Sequence, residues 1–435
     1  MGDEEKSLTA VFLHIDCNTF YASCEVALRP DLQGKPVVVA NCNEAGGGII
    51  LALTKEAKAL GLKRGDPVFK VTNILNANNV AVFPANLPKY VDVSRRLMQI
   101  VREMDIVLNF KQYSVDEFFG ELPSDDRAEL NTTALKIKQH IEQCTGIPVS
   151  CGISLSYTLA KVATWYAKHY AGYGGVCVLP KDKIEVALKS FAIAEVWGIG
   201  RRSAPKLQSV GIQTALQFHD APENHIRRWL NINGVRTWKE LHGIPSVNID
   251  NPALQKSIAH TRTFAYMTSD LDQLRTYISD YAVAASRKLR DQHSVCLSVS
   301  AFLSTNPHRD DLDQYSNIAT VRLNVASADC RVITNAAISA LESIYREGLQ
   351  YKRAGVLLND ITTDEAIMLD LFESNPEQMA KSKKLMSTLD ELTSKYGMNS
   401  VKLGVQGFEK TKPNLNNFQP SLNQNSNLSD IITVR

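Results

Sequence analysis

Three carboxylates in two short stretches have the types and spacing to hold a divalent metal. In VFLHIDCNTFYASCE, Val11 to Glu25, the apolar alternation of Val11, Leu13 and Ile15 runs straight into Asp16. In YSVDEFF, Asp116 and Glu117 stand side by side in a second strand-like run. Burying an unpaired carboxylate costs several kcal/mol, so Asp16 calls for a cation at a strand mouth or a buried base. Neighbours on a strand face opposite ways. One of Asp116 and Glu117 therefore shares the face that receives Asp16, and the other reaches it at the rim. Few hard oxygen ligands, with room left for phosphates, suit Mg²⁺ rather than zinc. The plain alternative is a surface Asp-Glu pair with an unrelated Asp.

Phosphate-binding groups surround these stretches. The first amides of the helix after Asp16, near Asn18 to Tyr21, are expected to be free for a phosphate. Lys58 and Arg64 follow a Gly-rich turn, and Lys161 lies in SYTLAKVA. Each alone reads as a solvated cation; together they describe a triphosphate held opposite a metal pair, as in two-metal phosphoryl transfer. Further on, VWGIGRRSAPKLQSVGIQTALQF carries Gly198, Gly200 and Gly211 at helix-hairpin-helix spacing, with Arg201, Arg202 and Lys206 among them. Glycines there let backbone amides meet a DNA phosphate without base contact. An ordinary αα-hairpin is the alternative. From Gly198 to Leu241 seven Lys or Arg face three acids, a local basic excess that a net charge of +2 conceals.

The elements that must position these groups follow from periodicity. Strands are expected at 11–16, 36–40, 113–122 and 149–154, and helices at about 18–27, 54–60, 86–104, 126–144 and 159–168. That order is a ferredoxin-like split sheet with a helical insertion. From Ile193 short helices and Gly turns take over, ending in the Pro- and Asn-rich GIPSVNIDNPALQ. Beyond it, SVCLSVSAFLS alternates apolar Val295, Leu297, Val299 and Ala301 with small polar residues, so one sheet face is expected to be buried and the other to present hydroxyls. Strand 317–326 puts Thr320, Arg322 and Asn324 on its polar face. The tail from about 361, low in aromatics and rich in Asn and Ser after Asn414, is expected to be a flexible extension.

Length and composition set the frame: 435 residues, 44% hydrophobic and 22% charged, suit about three globular domains. Eight scattered cysteines without a Cys-x-x-Cys pair argue against a zinc site or a disulfide framework. No apolar run is long enough to span a bilayer and Met1 to Lys6 is acidic, so no membrane association and a cytoplasmic location are expected.

In this order and spacing, DCNTFYASCE, YSVDEFF, GISLSYTLAK and VWGIGRRSAPKL resemble a Y-family translesion DNA polymerase, of the polymerase V catalytic-subunit (UmuC) type. The resemblance extends through KPVVVANCN, EAKALGLKRGDPVFK and YKRAGVLLNDI. It implies an α+β right-hand polymerase. The parts are a ferredoxin-like palm (1–30 and 86–178), small fingers (31–85), a helix-hairpin-helix thumb (179–244), a linker (245–257), an αβ little finger (258–362) and a tail (363–435).

On that likeness Asp16, Asp116 and Glu117 are catalytic and hold two Mg²⁺ ions, with Cys17 adding its carbonyl. Phe20 and Tyr21 lie under the incoming sugar, Tyr21 as steric gate, and Lys58, Arg64 and Lys161 face the triphosphate. Gly198, Gly200, Arg201, Lys206, Gly211 and Arg322 contact DNA. The implied partners are primer-template DNA, dNTP, a sliding clamp, a UmuD′-like dimer and a RecA filament. Met368 to Phe372, MLDLF, resembles the Gln-Leu-x-Leu-Phe clamp peptide, with Leu369, Leu371 and Phe372 as its apolar plug. The implied function is error-prone translesion synthesis in damage tolerance and SOS mutagenesis. The alternatives are a stand-alone polymerase IV-like enzyme and a catalytically inert scaffold. Leu53, Thr54 and Lys55 depart from the expected fingers pattern.

Overall fold

The computed structural model describes residues 11–41, 48–124, 126–249, 254–364, 376–397 and 400–407. Two compact units part near residue 251. The first contains β1 (Val11–Cys17), α1 (Phe20–Val26), β2 (Val37–Ala40), β3 (Ile50–Leu53), α2 (Lys55–Ala59), α3 (Val68–Ala77), β4 (Ala81–Pro84) and α4 (Leu87–Glu103). It continues with β5 (Leu108–Gln112), β6 (Glu117–Leu122), α5 (Arg127–Thr145), β7 (Val149–Ser154), α6 (Tyr157–His169), β8 (Val176–Val178), α7 (Ile184–Ser190), α8 (Ser203–Ser209), α9 (Ala215–Asp220) and α10 (Glu223–Leu241).

The main sheet has the order β5-β6-β1-β7-β8, and β1 runs antiparallel to both its neighbours. Central placement explains the apolar run of β1, because both faces are covered. Leu13 and Ile15 join a core with Tyr90, Leu97 and Ile137 of α4 and α5. Phe12 points the other way, into a cluster with Phe119, Tyr157 and Ala160. His14 and Asp16 share its parity, so they face α6. A smaller sheet, β3-β2-β4, lies over a core of Val38, Ile50, Leu53, Ala57 and Leu75. Helices α7 to α10 pack on α6 through Leu188, Phe191, Leu207, Phe218 and Leu241.

Buried Glu240 ties these parts together. Its carboxylate accepts the amides of Thr158 (2.9 Å), Ser246 (2.6 Å) and Val247 (3.0 Å), and its carbonyl accepts the Ser156 hydroxyl at 2.7 Å. Val247 and Ile249 then pack on the Phe12 cluster. The expected linker from 245 is therefore pinned through Ile249, because its backbone amides satisfy a buried charge that has no other exit.

The second unit contains β9 (Ile258–Thr268), α11 (Leu271–Asp291), β10 (Ser294–Thr305), β11 (Ser316–Ser327), α12 (Cys330–Ile344), β12 (Tyr351–Thr363) and α13 (Pro376–Tyr396). Its antiparallel sheet has the order β11-β10-β12-β9, with α11 and α12 packed on it. Val295, Val299 and Ala301 are buried as expected. Two details differ. Leu297 is only half-buried, and Cys296, beside a register shift in the pairing with β11, joins the core instead. The hydroxyls are not presented: Ser298 bonds Asp360, Ser300 bonds Thr320 at 2.8 Å, and both serines are buried.

Nor is the tail a free extension over its described part. In α13, Met386 is buried against Cys330, and Asp390 takes a bidentate bond from Arg290 at 2.7 and 2.8 Å. The MLDLF stretch lies outside the described residues. Among the described residues no helix is long and apolar enough to cross a membrane, and every cysteine but Cys144 is buried.

Candidate active site

The end of β1 and the start of β6 bring the three carboxylates together. Asp16 is the register partner of Glu117, and the Cys17 amide donates to the Asp116 carbonyl at 2.9 Å. Asp116 is not in mid-strand as expected. Residues 113–116 form the turn of the β5-β6 hairpin, in which the amides of Tyr113 and Ser114 both donate to the Glu117 carbonyl, at 3.0 and 3.1 Å. The Ser114 hydroxyl donates to Asp116 Oδ1 at 2.6 Å, the local bonding by which a short polar side chain breaks a strand. The turn carries the Asp116 carboxylate to the rim.

Helix α6 supplies the cations. Lys168 pairs with Asp16, and Lys161 Nζ donates to Glu117 Oε1 at 2.8 Å. Between them Thr164 bonds His14 Nδ1 at 2.8 Å. Lys161, Thr164 and Lys168 are spaced i, i+3, i+7, so they line one helix face. That face lies close on the sheet because β7 offers Gly152: a Cβ there would collide with the Ala160 carbonyl and the Thr164 amide. Asp16 thus answers its burial with a cation. Sequence reading missed Lys168, Thr164 and His14, although the seven-residue spacing from Lys161 was a usable signal for Lys168.

Charge and burial compete here. Burial pushes the Asp16 carboxyl up; Lys168 opposes this, while Glu117 and Asp116 add to it. Burial would also raise Glu117, but His14 and Lys161 outweigh it and hold that carboxyl at about 2. His14 Nε2 lies 3.5 Å from Glu117 Oε1, too long for a good hydrogen bond, so the attraction is mainly electrostatic. Burial, chiefly, lowers His14 to about 4. The ring is bonded at Nδ1 to the Thr164 hydroxyl, which also reaches the Ala160 carbonyl at 3.0 Å, and its buried Nε2 has no hydrogen-bond partner among the described residues.

This gives a pH test. His14 titrates at about 4 in the fold against 6.5 ordinarily, so the folded chain binds fewer protons than the unfolded one. Its contribution is fully present above pH 6.5 and is lost as the pH falls towards about 4. The loss amounts to about 3 kcal/mol. Denaturant unfolding of metal-free protein across this range should show a shallower acid slope for His14→Leu than for the unchanged chain; equal slopes would remove His14 as the cause.

Around the carboxylates, Phe20 is buried, and Tyr21 is half-buried within the field of both Asp116 and Arg64. Lys58 and Arg64 are exposed. Lys161 sits over Tyr113 (4.8 Å to the centroid) and Trp197 (5.0 Å), so an aromatic cage as well as Glu117 holds it. The Asn18 amide is not free, as it donates to the Pro148 carbonyl at 2.8 Å. Of the three departing fingers residues, Leu53 is buried and Thr54 caps α2 and binds the Val37 amide, which leaves only Lys55 exposed.

The glycine-rich segment has the conformations its spacing asked for at two positions. Gly198 and Gly211 both adopt φ of 89°, a region that side chains disfavour. Gly200, Arg201, Arg202 and Lys206 are exposed beside them. Arg322, in the second unit, is exposed on β11.

The donor chemistry fits a hard divalent cation. Among the described residues no group of three or more His, Cys, Asp and Glu is placed so that it could hold a metal ion, so Asp16, Asp116 and Glu117 do not form a ready-made site. Mg²⁺ does not ask for one, since it keeps waters and substrate oxygens and takes one or two carboxylates. Mutual repulsion with Asp116 and Glu117 helps to hold the Asp16 carboxyl high, which favours added positive charge.

Known proteins share this arrangement of the chain. The impB/mucB/samB family matches residues 15–165, and that family's C-terminal domain matches 255–371. Protein UmuC of Salmonella typhimurium is 35% identical, over 92% of this chain and 94% of its own. Protein MucB of the same organism is 34% identical over the same shares. DNA polymerase IV 1 of Bacillus subtilis is 27% identical over 91% and 92%. Among solved structures, a Y-family DNA polymerase chimera of Dbh and Dpo4 aligns with a TM-score of 0.65 at 22% identity, covering 81% of this chain and 99% of that one. An insertion ternary complex of Dbh DNA polymerase aligns at 0.53. Y-family polymerases generally use divalent metals. The chain belongs to the impB/mucB/samB family, the UmuC type of Y-family DNA polymerase.

Proposed function

We propose that the Asp16, Asp116 and Glu117 cluster performs template-directed nucleotidyl transfer to a primer 3′ end. The chain is an error-prone translesion DNA polymerase of SOS mutagenesis. The observation that carries the chemistry is the register of Asp16 against Glu117, with the Asp116 turn beside it and two lysines of α6 opposite. The three carboxylates and the Cys17 carbonyl are the groups to hold two Mg²⁺, which supply charge neutralisation at the reacting oxygens. Phe20 and Tyr21 form the floor beneath the sugar. Lys161, Arg64 and Lys58 supply positive charge to the triphosphate.

We assign residues 31–85 to fingers, 179–244 to a thumb that grips primer-template DNA through the Gly198 to Gly211 loops, and 258–362 to a little finger that adds Arg322. The fingers' small core and open pocket give weak geometric checking. By likeness to UmuC, the partners are a UmuD′-like dimer and a RecA filament, with a sliding clamp taken by Leu369, Leu371 and Phe372.

The test is primer extension on undamaged and abasic templates, with and without RecA filament, accessory dimer and clamp. Insertion that depends on the filament and dimer is expected, and clamp stimulation should vanish in Leu371→Ala/Phe372→Ala. Insertion without any partner would move the chain to the polymerase IV-like alternative. No insertion under any condition by folded protein would leave the scaffold reading.

A further inference from the structure

Behind Tyr21 lies a buried polar cluster that the transfer chemistry does not use. Glu25 of α1 is 1% exposed and Lys89 of α4 is 6% exposed. Lys89 Nζ donates to Glu25 Oε2 at 2.7 Å, and the Tyr90 hydroxyl donates to Oε1 at 2.8 Å. Burial, and after it the charge of Glu25, pushes the Tyr90 hydroxyl far above its usual range, so it remains a donor. The Tyr90 ring is fully buried and stacks on the Tyr21 ring, with centroids 4.4 Å apart and planes 16° from parallel. Phe20 meets Tyr90 edge-on at 6.5 Å.

An ion pair taken out of water gains little over apolar packing of the same volume, so stability alone does not account for it. What the cluster adds is direction. The bond to Glu25 fixes the rotation of Tyr90 within its plane, Lys89 fixes the carboxylate, and the stacked face fixes Tyr21. A wall that excludes one hydroxyl must not yield, because a shift of about 1 Å at a reacting site can change rates about a hundred-fold. We propose that Lys89, Glu25 and Tyr90 are positioning residues that brace Tyr21 and set how strictly deoxyribose is chosen over ribose. This rests on the reading of Tyr21 as the sugar gate.

The experiment compares kcat/KM for ribonucleotide and deoxynucleotide insertion in four proteins: the unchanged chain, Tyr90→Phe, the charge-neutral double variant Glu25→Gln/Lys89→Met, and Tyr21→Ala. Melting temperatures are measured alongside. Tyr90→Phe keeps the stacked ring and loses only the bond to Glu25, and the double variant leaves no uncompensated charge. Both are expected to raise the ribonucleotide ratio several-fold, mainly by lowering the ribonucleotide KM, whether or not melting changes. An unchanged ratio in both, with a raised ratio in Tyr21→Ala, would overturn the brace and leave the gate standing. An unchanged ratio in Tyr21→Ala would overturn the gate and the brace with it.

Discussion

Asp116→Asn is expected to cut single-nucleotide insertion by about a thousand-fold or more, the scale lost when charge stabilisation of a transferring phosphoryl group is removed. The substitution is unusually clean here. Asn can still accept the Ser114 hydroxyl that shapes the turn, and the backbone carbonyl that receives the Cys17 amide is untouched. Neither α6 lysine pairs with Asp116: Lys161 is engaged by Glu117 and Lys168 by Asp16. Only negative charge is lost. Primer-template affinity, dominated by phosphate contacts elsewhere, should stay within a few-fold. Single-turnover insertion and equilibrium DNA binding measure the two quantities; near-normal insertion by the variant would remove Asp116 from the catalytic set.

The second large effect is expected at Tyr21. Its ring rests on Tyr90 rather than on any carboxylate, so Tyr21→Ala opens space beneath the sugar without withdrawing a metal ligand. Ribonucleotide insertion relative to deoxynucleotide insertion should rise by about a hundred-fold, the order at which a pocket discriminates by shape against one added hydroxyl. Deoxynucleotide insertion should fall less than the ratio rises. If the ratio holds while overall activity drops, Tyr21 is a floor and not a gate.

How these residues divide between legible and illegible has a physical cause. Asp16 could be read because β1 is covered on both faces, and a continuous apolar run that ends in a carboxylate is conspicuous. The same alternation put one of Asp116 and Glu117 on its face without saying which. Asp116 was misplaced because Ser114 bends the backbone two residues before it, and hydrophobicity does not record that turn. The brace behind Tyr21 joins residues 64 and 65 positions apart, and the His14 to Thr164 bond spans 150. Such pairs come from the way helices dock, and no local period announces them. The burial of Cys296, Ser298 and Ser300 in β10 was hidden for another reason: serine and cysteine are small enough to sit on either face. Helix α13 was concealed by a polar composition in which Met386 does most of the burying.

Gly152 fixes something besides packing. With no side chain it lets the backbone of α6 rest almost on β7, and the reach of two lysines to two carboxylates is set by that distance. The site therefore has a length standard, and its calibration mark is a missing methyl group. A chain altered at this position could fold, bind DNA and keep every catalytic side chain, yet hold its ammonium groups at the wrong height above the acids. Such a defect would resemble a lost catalytic residue in every rate measurement, although no catalytic residue had changed.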